Sequence, residues 1–209
     1  MHIRTWFTRG GLVRGWLVVV MAVVVSVGGC SQTPPPPPIP GTISFSQFPA
    51  ITLDVARVEV TSTYQPPLKW PNIEHLMPLS PERAARQWAQ DRLRATGTGA
   101  RVARFVVRNA SVVEAKLTLD ESLKAFFTKQ QGSRDTGNLE VSLEVRDEHG
   151  MVIGEAYALT KFDRTLIQDI PVYEREKIQF ELVQTLSLAM NTELEKSIHN
   201  NLIRYLVIR

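Results

Sequence analysis

A single cysteine, Cys30, occurs in 209 residues, so no disulfide can close within the chain. Histidine is almost as sparse. His2, His75, His149 and His199 are scattered, and none forms a pair with metal-ligand spacing such as H-E-x-x-H. There is no G-x-S-x-G nucleophile elbow. The glycine-rich turn T-G-T-G-A at 96–100 lacks the lysine of a phosphate loop and follows a helix instead of a strand. Arginine–aromatic motifs for nucleic acid are also missing. These absences leave no metal, no cofactor and no nucleic-acid partner to propose, and they favour a non-enzymatic protein. A Ser-His-Asp arrangement assembled only in space is the hydrolase alternative.

The chain also lacks the length of apolar sequence that its N-terminus would need to span a bilayer. The run at 16–27 is twelve residues, whereas a spanning helix takes about 20 and the core of an export signal roughly 7 to 15. Arg4, Arg9 and Arg14 precede it with no acidic residue. Gly28 and Gly29 then open the backbone before Cys30. The cysteine could be a core thiol, the end of a short anchor, or a processing site. Basic flank, run length, small residues and lone thiol together favour processing, with 1–29 as a signal peptide. The charge balance follows from this division. The full chain has 24 basic and 21 acidic residues; without the three arginines of the leader the count is 21 against 21. A basic excess confined to an export signal is no argument for nucleic-acid binding.

Residues 30–42 form a second segment, in which S-Q-T-P-P-P-P-P-I-P at 31–40 is a polyproline II spacer. At about 3.1 Å per residue its proline-rich part extends on the order of 20 Å. The remainder, 43–209, is long enough for one cored domain. The β-branched stretch 51–60 reads as a strand. Ser80-Pro81-Glu82 starts a helix that Gly97 ends. Residues 101–113 are again strand-like. Residues 139–145 alternate against Glu140 and Glu144, which with Glu148 form a wet side. Asp147-Glu148-His149-Gly150 turns that strand into another at 151–161. A helical stripe follows from Ile178 to Leu194, but a break is expected near Asn191, because Thr192 with Glu195 fits a capping box that starts a separate final helix. The order predicts an α+β two-layer sandwich. Its mixed sheet has about four strands, the first and the post-helix strand parallel. Helices lie mainly on one face, and an amphipathic helix closes the chain.

Three features offer binding surfaces. The loop at 65–79 is long and unusually apolar, and Leu68, Trp70, Ile73, Leu76 and Met77 are its candidate partner or lipid contacts. Phe126 and Phe127 stand between Lys124 and Lys129, a pattern suited to a membrane surface. Arg83, Arg86, Gln87, Gln90 and Arg94 share a face of the first helix, opposite Ala84, Ala85, Trp88, Ala89 and Leu93. Arg92 falls on the apolar side and must snorkel or pair. The last helix, with Leu194, Ile198, Leu202, Tyr205 and Leu206 on one face, docks on its own sheet or meets a partner.

Val27-Gly28-Gly29-Cys30 resembles the bacterial lipobox. That resemblance implies a diacylglyceryl group on the Cys30 thiol, cleavage before Cys30 and acylation of the new amino group. Ser31, in place of aspartate, resembles the pattern of lipoproteins sent to the outer membrane. The strand V-A-R-V-E-V, the helix S-P-E-R-A-A-R-Q-W-A-Q-D-R-L, the hairpin L-E-V-S-L-E-V-R-D-E-H-G-M-V-I-G-E-A-Y-A-L and the terminal helices look like an auxiliary lipoprotein of an envelope lipid-transport system. The type is the paraquat-inducible lipoprotein, and less closely the lipopolysaccharide-assembly lipoproteins. The segment 119–137, the proline rod and the added final helix depart from that type. The resemblance implies a non-enzymatic subunit of an envelope transport or assembly complex, anchored at the periplasmic face of the outer membrane. A lipid- or small-ligand-binding lipoprotein is the alternative, which a concave apolar pocket beside the sheet would favour.

Overall fold

Residues 103, 105 and 107 and residues 139, 141, 143 and 145 are all fully buried, while their neighbours face the other way. This period of two fixes which side of the sheet is core. The structure, a computed structural model, describes residues 41–117 and 131–207. Residues 1–40, with the expected signal peptide, Cys30 and the whole proline-rich stretch 31–40, lie outside the described residues, as do Phe126 and Phe127.

The described elements run β1 (Ile51–Leu53), β2 (Arg57–Ser62), α1 (Pro81–Arg92), β3 (Leu93–Ala95), β4 (Val102–Asn109), β5 (Val112–Lys116), β6 (Gln131–Arg146), β7 (Val152–Ile167), α2 (Val172–Asn201) and a short 3-10 turn, Ile203–Tyr205. The architecture is α+β with a mixed sheet. β6 is its central strand: β7 pairs along one edge, and β4 and β5 pair in succession along the other. β2 joins β4 in parallel, Arg57 opposite Val102, as expected for strands linked through α1. β1 and β3 form a separate parallel pair. Both helices pack on the odd-numbered face of β6, where Trp88, Met190, Leu194, Ile198 and Leu202 join one continuous core.

Several expected boundaries moved, each for a physical reason. The strand expected at 139–145 starts eight residues earlier, at Gln131. Its first half, Q-G-S-R-D-T-G-N, has no apolar alternation. It is extended because β5 and β7 bond to its two edges. β7 likewise continues past Lys161 to Ile167. The single strand expected at 101–113 is broken between β4 and β5, where the pairing with β6 shifts register after Val107. Helix α1 begins as expected, with Ser80 Oγ accepting from the Arg83 N–H at 3.3 Å and Pro81 in the first turn. It stops at Arg92, short of Gly97, because Leu93 turns extended to pair with Ile51 and bury its side chain.

The expected break near Asn191 is absent: α2 is one helix of 30 residues. Thr192 Oγ1 donates back to the Leu188 carbonyl at 3.2 Å, inside the helix, so it caps nothing. The core stripe runs unbroken through Leu182, Leu186, Met190, Leu194, Ile198 and Leu202, all fully buried. Steps of four residues drift slowly around a helix of 3.6 residues per turn. That drift, together with the buried polar residues Ser187 and Asn191 beside the stripe, mimics a change of register in the sequence. The face carrying Leu194, Ile198 and Leu202 is therefore core, and it is not a partner surface.

Asn191 is buried because it is needed. Its Oδ1 accepts from Trp88 Nε1 at 2.7 Å and from Arg92 Nη1 at 3.0 Å, tying α1 to α2. Arg92 does not snorkel. It is fully buried, with Nη2 2.9 Å from Glu195 Oε2 and its guanidinium 5.2 Å from the Phe48 ring centre. The Glu195 approach lacks hydrogen-bond alignment, and Arg92 Nε has no partner among the described residues. Glu195 serves this pairing instead of a capping box.

No described helix covers the even-numbered face of β6. Long side chains cover it instead. Glu144, expected to be wet, is only 7% exposed. It lies between Arg108 Nη2 at 3.1 Å and Arg146 Nη2 at 2.6 Å, and Arg108 also reaches Glu155 at 2.6 Å. The outer edge of β7 is blunted as well. Ser197 Oγ accepts from the Tyr157 N–H at 2.9 Å and the Tyr205 hydroxyl donates to the Ile153 carbonyl at 3.1 Å, which occupies groups that another strand would use.

Candidate functional site

The loop at 65–79 is anchored by one buried carboxylate. Glu74, 3% exposed, accepts from the Tyr64 hydroxyl at 2.6 Å, from Asn72 Nδ2 at 3.3 Å and from the Val112 N–H at 3.1 Å. Burial, followed by the Glu74 hydrogen bond, pushes the Tyr64 phenol well above its ordinary range. Backbone bonds extend the seam. The Ile73 N–H donates to the Val112 carbonyl and the Glu114 N–H to the Pro71 carbonyl, each at 2.9 Å. Asn72 thereby sits opposite Val113 like a residue of an extra edge strand.

This seam divides the apolar residues of the loop. Ile73 and Met77 are buried with Leu79, Val112, Leu182, Val183 and Leu186 in a second core cluster. They hold the loop in place and cannot greet a partner without unfolding it. Leu68, Trp70 and Leu76 stand outward, 63%, 62% and 71% exposed. Leu68 adopts φ 55°, a left-handed conformation costing a branched residue about 1–2 kcal/mol. Three of the five expected loop contacts are thus exposed, and two are buried in the core. Phe126 and Phe127 are not among the described residues.

The hollow behind the loop is about 90 Å³ and is lined by Tyr64, Pro66, Glu74, His75, Ser80 and Glu82. A serine, a histidine and two acids meet there, the residue types of a hydrolase. Ser80 Oγ is committed to the α1 N-cap, and no hydrogen bond joins it to His75. Among the described residues no three His, Cys, Asp or Glu side chains form a metal-holding group. No described helix is long and apolar enough to cross a membrane.

A second cleft, about 180 Å³, lies where residues 42 and 43 run beside α1. Arg83, Arg86, Gln87 and Gln90 line it as expected for one helix face. Arg86 is held by Glu82 at 3.0 Å, and Arg83 Nη2 donates to the Gly41 carbonyl at 3.1 Å. A third, about 230 Å³, opens on the charged sheet face between Arg57, Glu59, Arg104, Arg146, Asp147 and Glu148. Its arginines are paired: Glu59 binds Arg57 at 2.7 Å and Arg104 at 2.9 Å, which holds the Glu59 carboxyl below its ordinary range.

Sequence reasoning missed one polar site, beneath the start of α2. Asp135 is fully buried on β6, and its Oδ2 accepts from Gln179 Nε2 at 3.3 Å. Asp135 Oδ1 and the nearby β6 hydroxyl Ser133 Oγ have no partner among the described residues. Burial first, and then the charge of Glu114, push the Asp135 carboxyl up to about 6. The only clue in the sequence was an aspartate within R-D-T-G-N, which reads as a turn until pairing makes it a strand.

No protein-family model matches the chain, and no curated protein matches it. Solved structures show distant likeness. The chain is similar to the rare lipoprotein B from Shewanella oneidensis at a TM-score of 0.36 and 12% identity, over 69% of this chain and 95% of that one. A minor lipoprotein from Acinetobacter baumannii superposes at 0.34 with 11% identity, over 70% and 95%. A protein from Xanthomonas campestris superposes at 0.32 with 9% identity, over 78% and 94%. Likeness at this level carries no functional argument.

Proposed function

We propose that this chain is a bacterial lipoprotein, lipid-anchored through Cys30 at the periplasmic face of the outer membrane. In this reading its α+β domain is a non-enzymatic subunit of an envelope transport or assembly complex. The observation that carries the reading is the division of the loop at 65–79. A rigid seam buries Ile73 and Met77 and leaves Leu68, Trp70 and Leu76 facing water. Exposed aromatic and aliphatic anchors held on an ordered backbone bind with little loss of entropy, and such anchors dominate protein interfaces. The V-G-G-C motif after a twelve-residue apolar run supports the anchor. Two or more acyl chains would make that anchoring stable.

The test is co-purification from gently solubilised membranes, analysing proteins and lipids together. The reading expects a stoichiometric envelope protein that is lost from a Trp70→Ala, Leu76→Ala double variant of unchanged fold. A monomer carrying a defined lipid would instead support a ligand carrier. Partner binding that survives the double variant would remove the loop from the account.

A further inference from the structure

The polypeptide leading to Cys30 leaves the described domain at Gly41, and it leaves beside two guanidinium groups. Arg83 holds the Gly41 carbonyl at 3.1 Å. The adjoining cleft is apolar at Ile43 and Leu79 and polar at Arg83, Arg86, Gln87 and Gln90. Neither arginine is exhausted by its contact, since a guanidinium has five donors in a planar fork suited to phosphate oxygens. Arg83 spends one donor on Gly41, and Arg86 spends two, its Nε and Nη2, on Glu82. Gln87 Nε2 donates one hydrogen to Asp91 Oδ1 at 2.8 Å and keeps a second, and Gln90 adds a neutral amide.

We infer that this cleft takes the phosphate of a bilayer lipid headgroup, so that the outer face of α1 lies against the membrane carrying the anchor. The inference rests on the lipid-anchor reading. Cys30 and Gly41 are eleven residues apart, a span of at most about 34 Å in polyproline II form. A short tether raises the effective concentration of headgroups at the cleft to the millimolar range, so a site too weak to retain free phosphate stays occupied at the membrane. The surface committed here is the one at the root of the tether. The loop bearing Trp70 is left for a protein partner.

The acylated full chain, reconstituted in vesicles of phosphatidylethanolamine and phosphatidylglycerol, tests this directly. With Cys30 occupied by lipid, a spin label can be placed singly through Gln90→Cys in the cleft or Lys161→Cys on the exposed opposite sheet face. Collision with a headgroup-borne nickel chelate should be several-fold greater at 90 than at 161. In an Arg83→Glu, Arg86→Glu background it should fall to the level at 161, and the milder Arg83→Gln, Arg86→Gln pair guards against a folding defect. Equal collision at both positions on an acylated chain would overturn the cleft inference alone. Loss of the contact in millimolar inorganic phosphate would overturn it in favour of a soluble-anion site. A chain whose Cys30 carries no acyl group would overturn the anchor reading and this inference with it.

Discussion

The two halves of α2 solve the same problem differently. Each half covers buried polar groups. Under the C-terminal half, Asn191 accepts from both Trp88 and Arg92 and Glu195 lies 2.9 Å from Arg92 Nη2, so the charge is answered although Arg92 Nε stays without a partner among the described residues. Under the N-terminal half, Asp135 has one long hydrogen bond from Gln179 and one bare oxygen among the described residues. A buried polar group costs little when paired and several times more when not. The first cluster therefore locks α1, α2 and the sheet into one arrangement, whereas the second is a weak point where the fold tolerates strain.

The largest effect should come from breaking the half whose charge is answered. Asn191→Ala strands Trp88 Nε1 and Arg92 Nη1, and it is expected to cost about 3 kcal/mol, seen as a lowered urea midpoint of the detergent-solubilised protein. Between the halves lies Gly137, where a Cβ would collide with the Leu186 side chain. Gly137→Ala should cost about 2 kcal/mol, because the helix cannot back away from a packed sheet. A glycine-to-alanine change that left the midpoint unmoved would mean that the Leu186 side chain turns aside without loss of packing.

The poorly paired half should respond in the opposite direction. Folding raises the Asp135 carboxyl from 3.8 to about 6, so the folded state holds this proton more tightly than the unfolded chain. Its contribution is fully present below pH 3.8 and is lost as pH rises to about 6. At pH 7.5 the ionised carboxylate is a cost, and Asp135→Asn should stabilise the protein by on the order of 1–2 kcal/mol. The variant should also flatten the dependence of stability between pH 4 and 6. The smallest effect belongs to the solvated sheet face, where Glu155→Gln removes one partner of Arg108 and should shift stability by less than about 0.5 kcal/mol.

What was legible in the sequence follows the hydropathy. Strand and core are plain at Leu139, Val141, Leu143 and Val145, where alternation is strict, and so is the start of α1 at Ser80-Pro81. A charge on an apolar face left Arg92 to snorkel or to pair, and only the position of Glu195 decides for pairing. The polar half of β6 was invisible because its strand character comes from neighbours on both edges and not from its own residues. The continuity of α2 was hidden because Asn191 is a polar residue in a buried row, and its reason is Trp88, 103 residues away. The loop was legible as apolar, but only Glu74 and its partners decide which apolar residues turn inward.

The anchor is the claim on which function, location and membrane orientation all depend. Intact-mass and N-terminal peptide analysis of the protein from native membranes tests it most directly. The account predicts a chain that begins at Cys30 and carries a diacylglyceryl group on the thiol and an acyl group on the amino terminus. A chain that retains residues 1–29, or an unmodified Cys30 on a released domain, would contradict it.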